Sequence, residues 1–218
     1  MKTIFLDHVR NKLALHKLRG GDGQPLLILH GLGEQSPSAV PISLEQWGGP
    51  VFALDFTGHG QSSVPLAGGY TCEALMSDAD AVLAELGPLT LMGYGLGGYV
   101  GLLLFGSRPK EINGLIIADG PGLDGGGDKP TSPQLLHVKA TDLNGSTPDP
   151  WVLAELASDV RPRDYAADHV RQIETLAGLD VAIVVGSLGR PAWLSEIMTS
   201  PVVTDGDVGV GLSTFSRS

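Results

Sequence analysis

Three short turns gather the residues able to do chemistry. They read His30-Gly31-Leu32-Gly33, then Asp55-Phe56-Thr57-Gly58-His59-Gly60-Gln61-Ser62, then Gly93-Tyr94-Gly95-Leu96-Gly97-Gly98. Each closes a short apolar run. Glycines at such points let the backbone approach a ligand closely. A helix opening directly after the turn adds free N–H groups and the positive end of its dipole, which suits a carboxylate, phosphate or carbonyl oxygen. Around these turns the chain offers Ser62, Cys72 and Ser187 as hydroxyl and thiol groups, Asp55 and Asp119 as acids, and Tyr94 as a phenol. Its imidazoles include His30, His59, His137 and His169.

The elements that must position these groups follow from hydropathy. Pro25–Leu29, Val51–Leu54, Leu89–Met92, Leu115–Ala118 and Val181–Val185 are continuous apolar runs bounded by Gly and Asp. Such runs suit strands buried on both faces. Between them, Thr71–Leu86 carries apolar residues at helical spacing. Leu96–Ser107 is apolar almost all round, as in a buried helix. Asp164–Leu176 presents Ala167, Val170, Ile173 and Leu176 as a stripe. Strand–helix alternation predicts an α/β fold with a mostly parallel sheet. In such a sheet ligands bind beyond the carboxyl ends of the strands, so the three turns share one rim. At the N-terminus, Thr3–His8 and the alternating Asn11–Arg19 read as an antiparallel edge, followed by the Gly20-Gly21-Asp22-Gly23 turn. A last strand is expected over Pro201–Thr204, with no long helix after it. The stretch 120–149 is rich in Gly, Pro, Asp, Ser and Thr, and reads as a long lid-like or mobile loop.

The order HGLG, then D-x-x-G-x-G-x-S, then G-x-x-x-G between strand and helix resembles the α/β-hydrolase superfamily of esterase and lactonase type. The resemblance is good over about residues 10–120 and weak over 150–185. It implies a single-domain α/β-hydrolase fold over 1–218, with a mostly parallel central sheet flanked by helices and a minimal or absent cap. It also implies a nucleophile at the centre of G-x-S-x-G, and here that position is Gly95, which has no hydroxyl. The family's acid follows the strand at 181–185, where this chain reads Gly186-Ser187-Leu188-Gly189-Arg190, or the strand before it, where it has Asp119. The family's base follows the last strand, and residues 202–218 hold no histidine. The oxyanion hole maps to the backbone N–H groups of Leu32 and Leu96, which do not depend on side-chain identity.

The site expected from this resemblance is a pocket of His30, Gly31, Leu32, Tyr94, Gly95 and Leu96, with Asp119 as the one candidate acid. His30 is read as shaping the HG turn, and His59 as structural or at the rim. His137 is a loop histidine that reaches the pocket only if the loop folds over. His169 is expected to face solvent. Cys72 opens a helix, a position that lowers a thiol pKa, yet no elbow or base accompanies it. Asp55 anchors its turn. Asp119 is expected to cap the Gly120–Gly122 turn, and Tyr94 to pack beneath the elbow.

Composition narrows the classes. Acids outnumber bases 24 to 14, for a formal net charge of −10. That balance repels phosphate backbones and anionic membranes, so neither nucleic acid nor membrane is an expected partner. The single cysteine among six histidines excludes an intramolecular disulfide and argues against a structural zinc. No cofactor or metal is expected. Ile4-Phe5-Leu6 is too short for a signal-peptide core, and no apolar run approaches the roughly 20 residues of a membrane span, so a cytoplasmic location is expected. The resulting expectation is a degenerate or non-classical hydrolase that binds a small acyl, ester or carboxylate ligand. Two alternatives stay open: an active carboxylic-ester hydrolase with displaced catalytic residues, and a non-enzymatic interaction protein. Oligomeric state is left open.

Overall fold

A computed structural model describes residues 1–66, 68–125, 138 and 145–216. Strands β1 (Lys2–His8) and β2 (Asn11–Arg19) pair antiparallel through a turn at Val9-Arg10. The apolar runs then form β3 (Leu26–Leu29), β4 (Val51–Asp55), β5 (Leu89–Tyr94) and β6 (Ile112–Ala118). Two three-residue strands follow, β7 (Ile183–Val185) and β8 (Val203–Asp205). All eight join one sheet in the order β1-β2-β4-β3-β5-β6-β7-β8. The β1–β2 and β2–β4 pairings are antiparallel, and every pairing from β4 to β8 is parallel.

The period-2 geometry of strands sends neighbouring side chains to opposite faces. Leu27, Leu29, Leu91, Leu115 and Ile117 face one core, and Leu26, Ile28, Met92 and Ile116 face the other. The first core is covered by α1 (Cys72–Leu86), α2 (Leu96–Ser107), α3 (Pro150–Ala157), α4 (Arg163–Leu176) and α5 (Ala192–Ile197). The second is covered by Trp47, a short 3-10 turn at Ile42–Leu44, and α6 (Val208–Phe215). Helix α1 starts where Thr71 accepts a bond from the Ala74 N–H, and it stops at Gly87, whose φ is 75°.

Several expectations need correction. The last strand lies at Val203–Asp205 rather than Pro201–Thr204, and a short helix of 8 residues, α6, follows it; Asp207 caps it by accepting from the Val210 N–H. Its glycines hid it in the sequence, but Gly211 is where the helix presses onto Ile116. The buried stripe of α4 is Ala166, His169, Val170 and Ile173, one position round from the expected one. His169 is therefore buried against α2 and the Tyr165 ring, with 8% exposure, while Leu176 is 47% exposed. Of the 120–149 stretch, residues 126–137 and 139–144 lie outside the described residues, and His137 with them. No helix of the described residues is long and apolar enough to cross a membrane.

Candidate functional site

The carboxyl ends of β3, β4 and β5 bring the three glycine-rich turns to one rim. Gly95 sits at the sharp turn between β5 and α2 with φ 53° and ψ −116°. Few side chains tolerate that left-handed φ without strain. The flanking glycines let the helix close onto the sheet. A Cβ on Gly93 would lie 2.5 Å from the Gly97 carbonyl oxygen, and one on Gly97 would lie 2.6 Å from the Leu29 carbonyl carbon.

The Leu32 and Leu96 N–H groups converge, as a carbonyl-binding cradle requires. They are not open, however: both donate to the backbone carbonyl of Pro121, each at 2.9 Å. The strap after β6 turns back over the elbow and supplies the acceptor that both N–H groups share. The same strap removes the space for a side chain at 95. A Cβ there would lie 2.5 Å from the Gly120 carbonyl oxygen and closer still to the Pro121 oxygen. Gly122, at φ 77°, passes between Leu32 and Leu96. Beside the strap a cleft of about 400 Å³ opens, lined by Leu32, Asp119, Gly122, Leu123, Asp124 and Gly189.

The histidines of the rim are committed to the backbone. The Phe56 N–H donates to His30 Nε2 at 3.2 Å, so the His30 proton sits on Nδ1, which donates to the Gly31 carbonyl at 2.8 Å. The Gly33 N–H donates to His59 Nε2 at 3.2 Å, and His59 Nδ1 faces the Thr57 carbonyl. Burial lowers the pKa of His30, and burial beside His30 takes His59 down to about 3. Both are neutral at pH 7, with both ring nitrogens occupied, and neither offers a free base. Asp55 accepts from His16 Nε2 at 2.9 Å, the Ser36 N–H at 2.7 Å and the Gln61 N–H at 2.8 Å. Burial disfavours its charge, but these donors outweigh it and hold the carboxyl below its usual range.

Asp119 lies at the rim but caps a different turn from the one expected. It accepts from the Leu188 N–H at 2.9 Å, the Gly189 N–H at 3.2 Å and Ser187 Oγ at 2.5 Å. The Leu188 N–H first, then Ser187, depresses its pKa. A carboxylate so stabilised is a poor base for the Ser187 hydroxyl. Ser62 Oγ is occupied by the Asp55 carbonyl and the Ala14 N–H, and the whole residue is 5% exposed. Cys72 departs from the helix-terminus expectation. Burial pushes its thiol pKa up, and Sγ donates to Asp159 Oδ2 at 2.9 Å. Tyr94 is half-buried, its phenol pKa raised by burial, and it lines a separate cavity of about 550 Å³ with Ile28, His30 and Glu34. Trp193 is buried edge-on to Tyr99, and Trp151 opens α3 half-exposed.

Two residues that matter here escape a reading by sequence. Pro121 acts through its backbone, within a Gly-Pro-Gly string whose only visible property is turn-forming. Arg161 is buried behind the strap, and one charged residue between two helices carries no motif.

A profile of the family described as "alpha/beta hydrolase fold" matches residues 24–137, more than half of the chain. The soluble epoxide hydrolase of Corynebacterium sp. strain C12 is 28% identical over 168 residues, which is 73% of this chain and 57% of that protein. Lipase LipV of Mycobacterium tuberculosis is 32% identical over 109 residues, 48% of this chain and 41% of that one. The chain thus spans about half the length of the curated relatives it matches. The haloalkane dehalogenase DatA of Agrobacterium tumefaciens C58 superposes with a TM-score of 0.65 at 19% identity, covering 99% of this chain and 94% of that one. Sheet order, elbow, profile and relatives agree, and the chain belongs to the α/β-hydrolase fold family.

Proposed function

We propose that this protein is a degenerate α/β hydrolase that has lost acyl-transfer chemistry at its elbow and binds a small acyl, ester or carboxylate ligand. One observation carries the reading: the Pro121 carbonyl accepts from both Leu32 and Leu96, at 2.9 Å each, above a Gly95 that has no room for a side chain. The cradle holds a carbonyl oxygen without a nucleophile to attack it. Loss of a triad nucleophile or base costs on the order of 10⁶ in kcat. That is about 8 kcal/mol of transition-state stabilisation, more than the remaining backbone donors supply. The described imidazoles at the rim are engaged, so neither His30 nor His59 offers a base.

Turnover of a short-chain p-nitrophenyl ester by highly purified protein tests the first half. The expected result is no rate above buffer and no labelling by a fluorophosphonate. A rate that survives repurification and disappears in Ser187→Ala would establish the displaced-residue alternative, with Ser187 as the nucleophile despite the weak base beside it. Ligand binding is read from the Leu32 and Leu96 amide resonances, which shift when an added carbonyl or carboxylate replaces the Pro121 oxygen.

A further inference from the structure

Arg161 is 97% buried, since its exposure is 3%. A guanidinium does not lose its proton in a protein, so this is a permanent buried cation. Its Nη1 donates to the Gly122 carbonyl and, at 2.6 Å, to the Leu123 carbonyl. The guanidinium carbon lies 5.0 Å from the centre of the Tyr99 ring. Among the described residues Nε and Nη2 find no hydrogen-bond acceptor. Among the described residues the carbonyl acceptors of Arg161 therefore come from the strap, with the Cys72 side chain beside the guanidinium. A second tie runs from Trp193 Nε1 to the Leu123 carbonyl at 3.0 Å. Gly125, at φ 64°, lies against the guanidinium, where a Cβ would meet Nε at 2.7 Å.

We propose that Gly120–Gly125 is an autoinhibitory strap, latched by Arg161, whose Pro121 carbonyl competes with a neutral amide or ester carbonyl for the Leu32 and Leu96 N–H groups. The inference rests on the ligand-binding reading above and narrows it. The occupant seen in the cradle is a neutral peptide carbonyl. Asp119 and Asp124 line the cleft that leads to it, and they repel an incoming carboxylate. Lifting the strap strips a buried cation of its acceptors, which biases the equilibrium toward closure. An outside ligand then binds with an affinity reduced by the fraction of open molecules.

Amide hydrogen exchange and resonance shifts in the full chain test both parts. In Arg161→Met, exchange at Leu32 and Leu96 should quicken by roughly 10- to 100-fold, the loss of the charge-assisted donor that Gly122 and Leu123 share. Met92 and Ile116, inside the sheet, should not change. Added N-acetyl-proline methylamide should shift the Leu32 and Leu96 resonances at lower concentration in Arg161→Met than in the parent protein, and sodium acetate should do so more weakly. Unchanged exchange at Leu32 and Leu96, or measurable binding of equal strength by parent and variant, overturns the latch. Selective opening with no binding of either probe leaves the latch standing and overturns the ligand reading. Tighter binding of acetate overturns the choice of a neutral carbonyl. If Arg161→Met does not fold, Arg161→Lys keeps the charge without the planar fork, and Trp193→Phe removes the second tie. Selective quickening in either supports the latch, and its absence in both refutes it.

Discussion

Gly95 and the Pro121 carbonyl occupy the space that a nucleophile and its bound substrate would share, and each fits only because of the other. Restoring the hydroxyl alone therefore does not restore chemistry. Gly95→Ser drives a Cβ into the Gly120 and Pro121 carbonyls at a φ of 53°. The expected outcome is a loss of about 1–3 kcal/mol in a urea titration, as for other overpacked sites, and still no ester turnover. An active Gly95→Ser would mean that the strap yields freely and that a base stands nearby. The absence of a side chain at the elbow was legible from the glycine in G-x-G-x-G. The filling of the cradle was not. It depends on where the main chain of residues 120–122 passes, and main-chain position leaves no mark on residue type.

Among the elements, legibility followed length and burial. The four central strands and α1, α2 and α4 announced themselves, because continuous apolar runs and 3.6-residue stripes reflect the faces they bury. Helices α3 and α5 span only 8 and 6 residues, too few for a period to emerge. The displaced stripe of α4 has a local cause: His169 is polar by type, yet it fills the gap left by Gly106 on α2. A Cβ on Gly106 would lie 2.6 Å from the His169 Cβ. Two effects of Gly106→Ala then oppose each other. Alanine gains about 1 kcal/mol of helix propensity over glycine, while the collision costs about 1–3 kcal/mol. The collision should win, lowering the melting temperature by several degrees. A raised melting temperature would show that α4 shifts away from α2 without cost.

For the molecule as a whole, burial of imidazoles sets the direction of its pH dependence. His30, His59 and His169 all have pKa values lowered by burial, His59 to about 3. Below the unfolded value near 6.5 the unfolded chain takes up protons that the native protein refuses, so stability present above that pH is lost as pH falls. Each such proton contributes a slope of about 1.4 kcal/mol per pH unit while the gap lasts. Asp78 acts in the opposite sense. Burial raises its carboxyl pKa to about 6, despite bonds from the Thr57 N–H and hydroxyl. Between about pH 3.9 and 6 the native protein holds that proton and the unfolded chain does not, which favours the native state as pH falls. Three histidines against one aspartate leave a net loss. Asp55 and Asp119, with lowered pKa values, add their own losses only when pH falls below the ordinary carboxylate range. The urea midpoint should therefore be flat from pH 7 to about 8, where the raised thiol of Cys72 begins to count against the native state, fall from about pH 6.5 downward, and fall more steeply in Asp78→Asn than in the parent between pH 6 and 4. A midpoint that rises on acidification would mean that the rim histidines take up protons in the native state. The backbone bonds assigned to His30 and His59 would then be wrong.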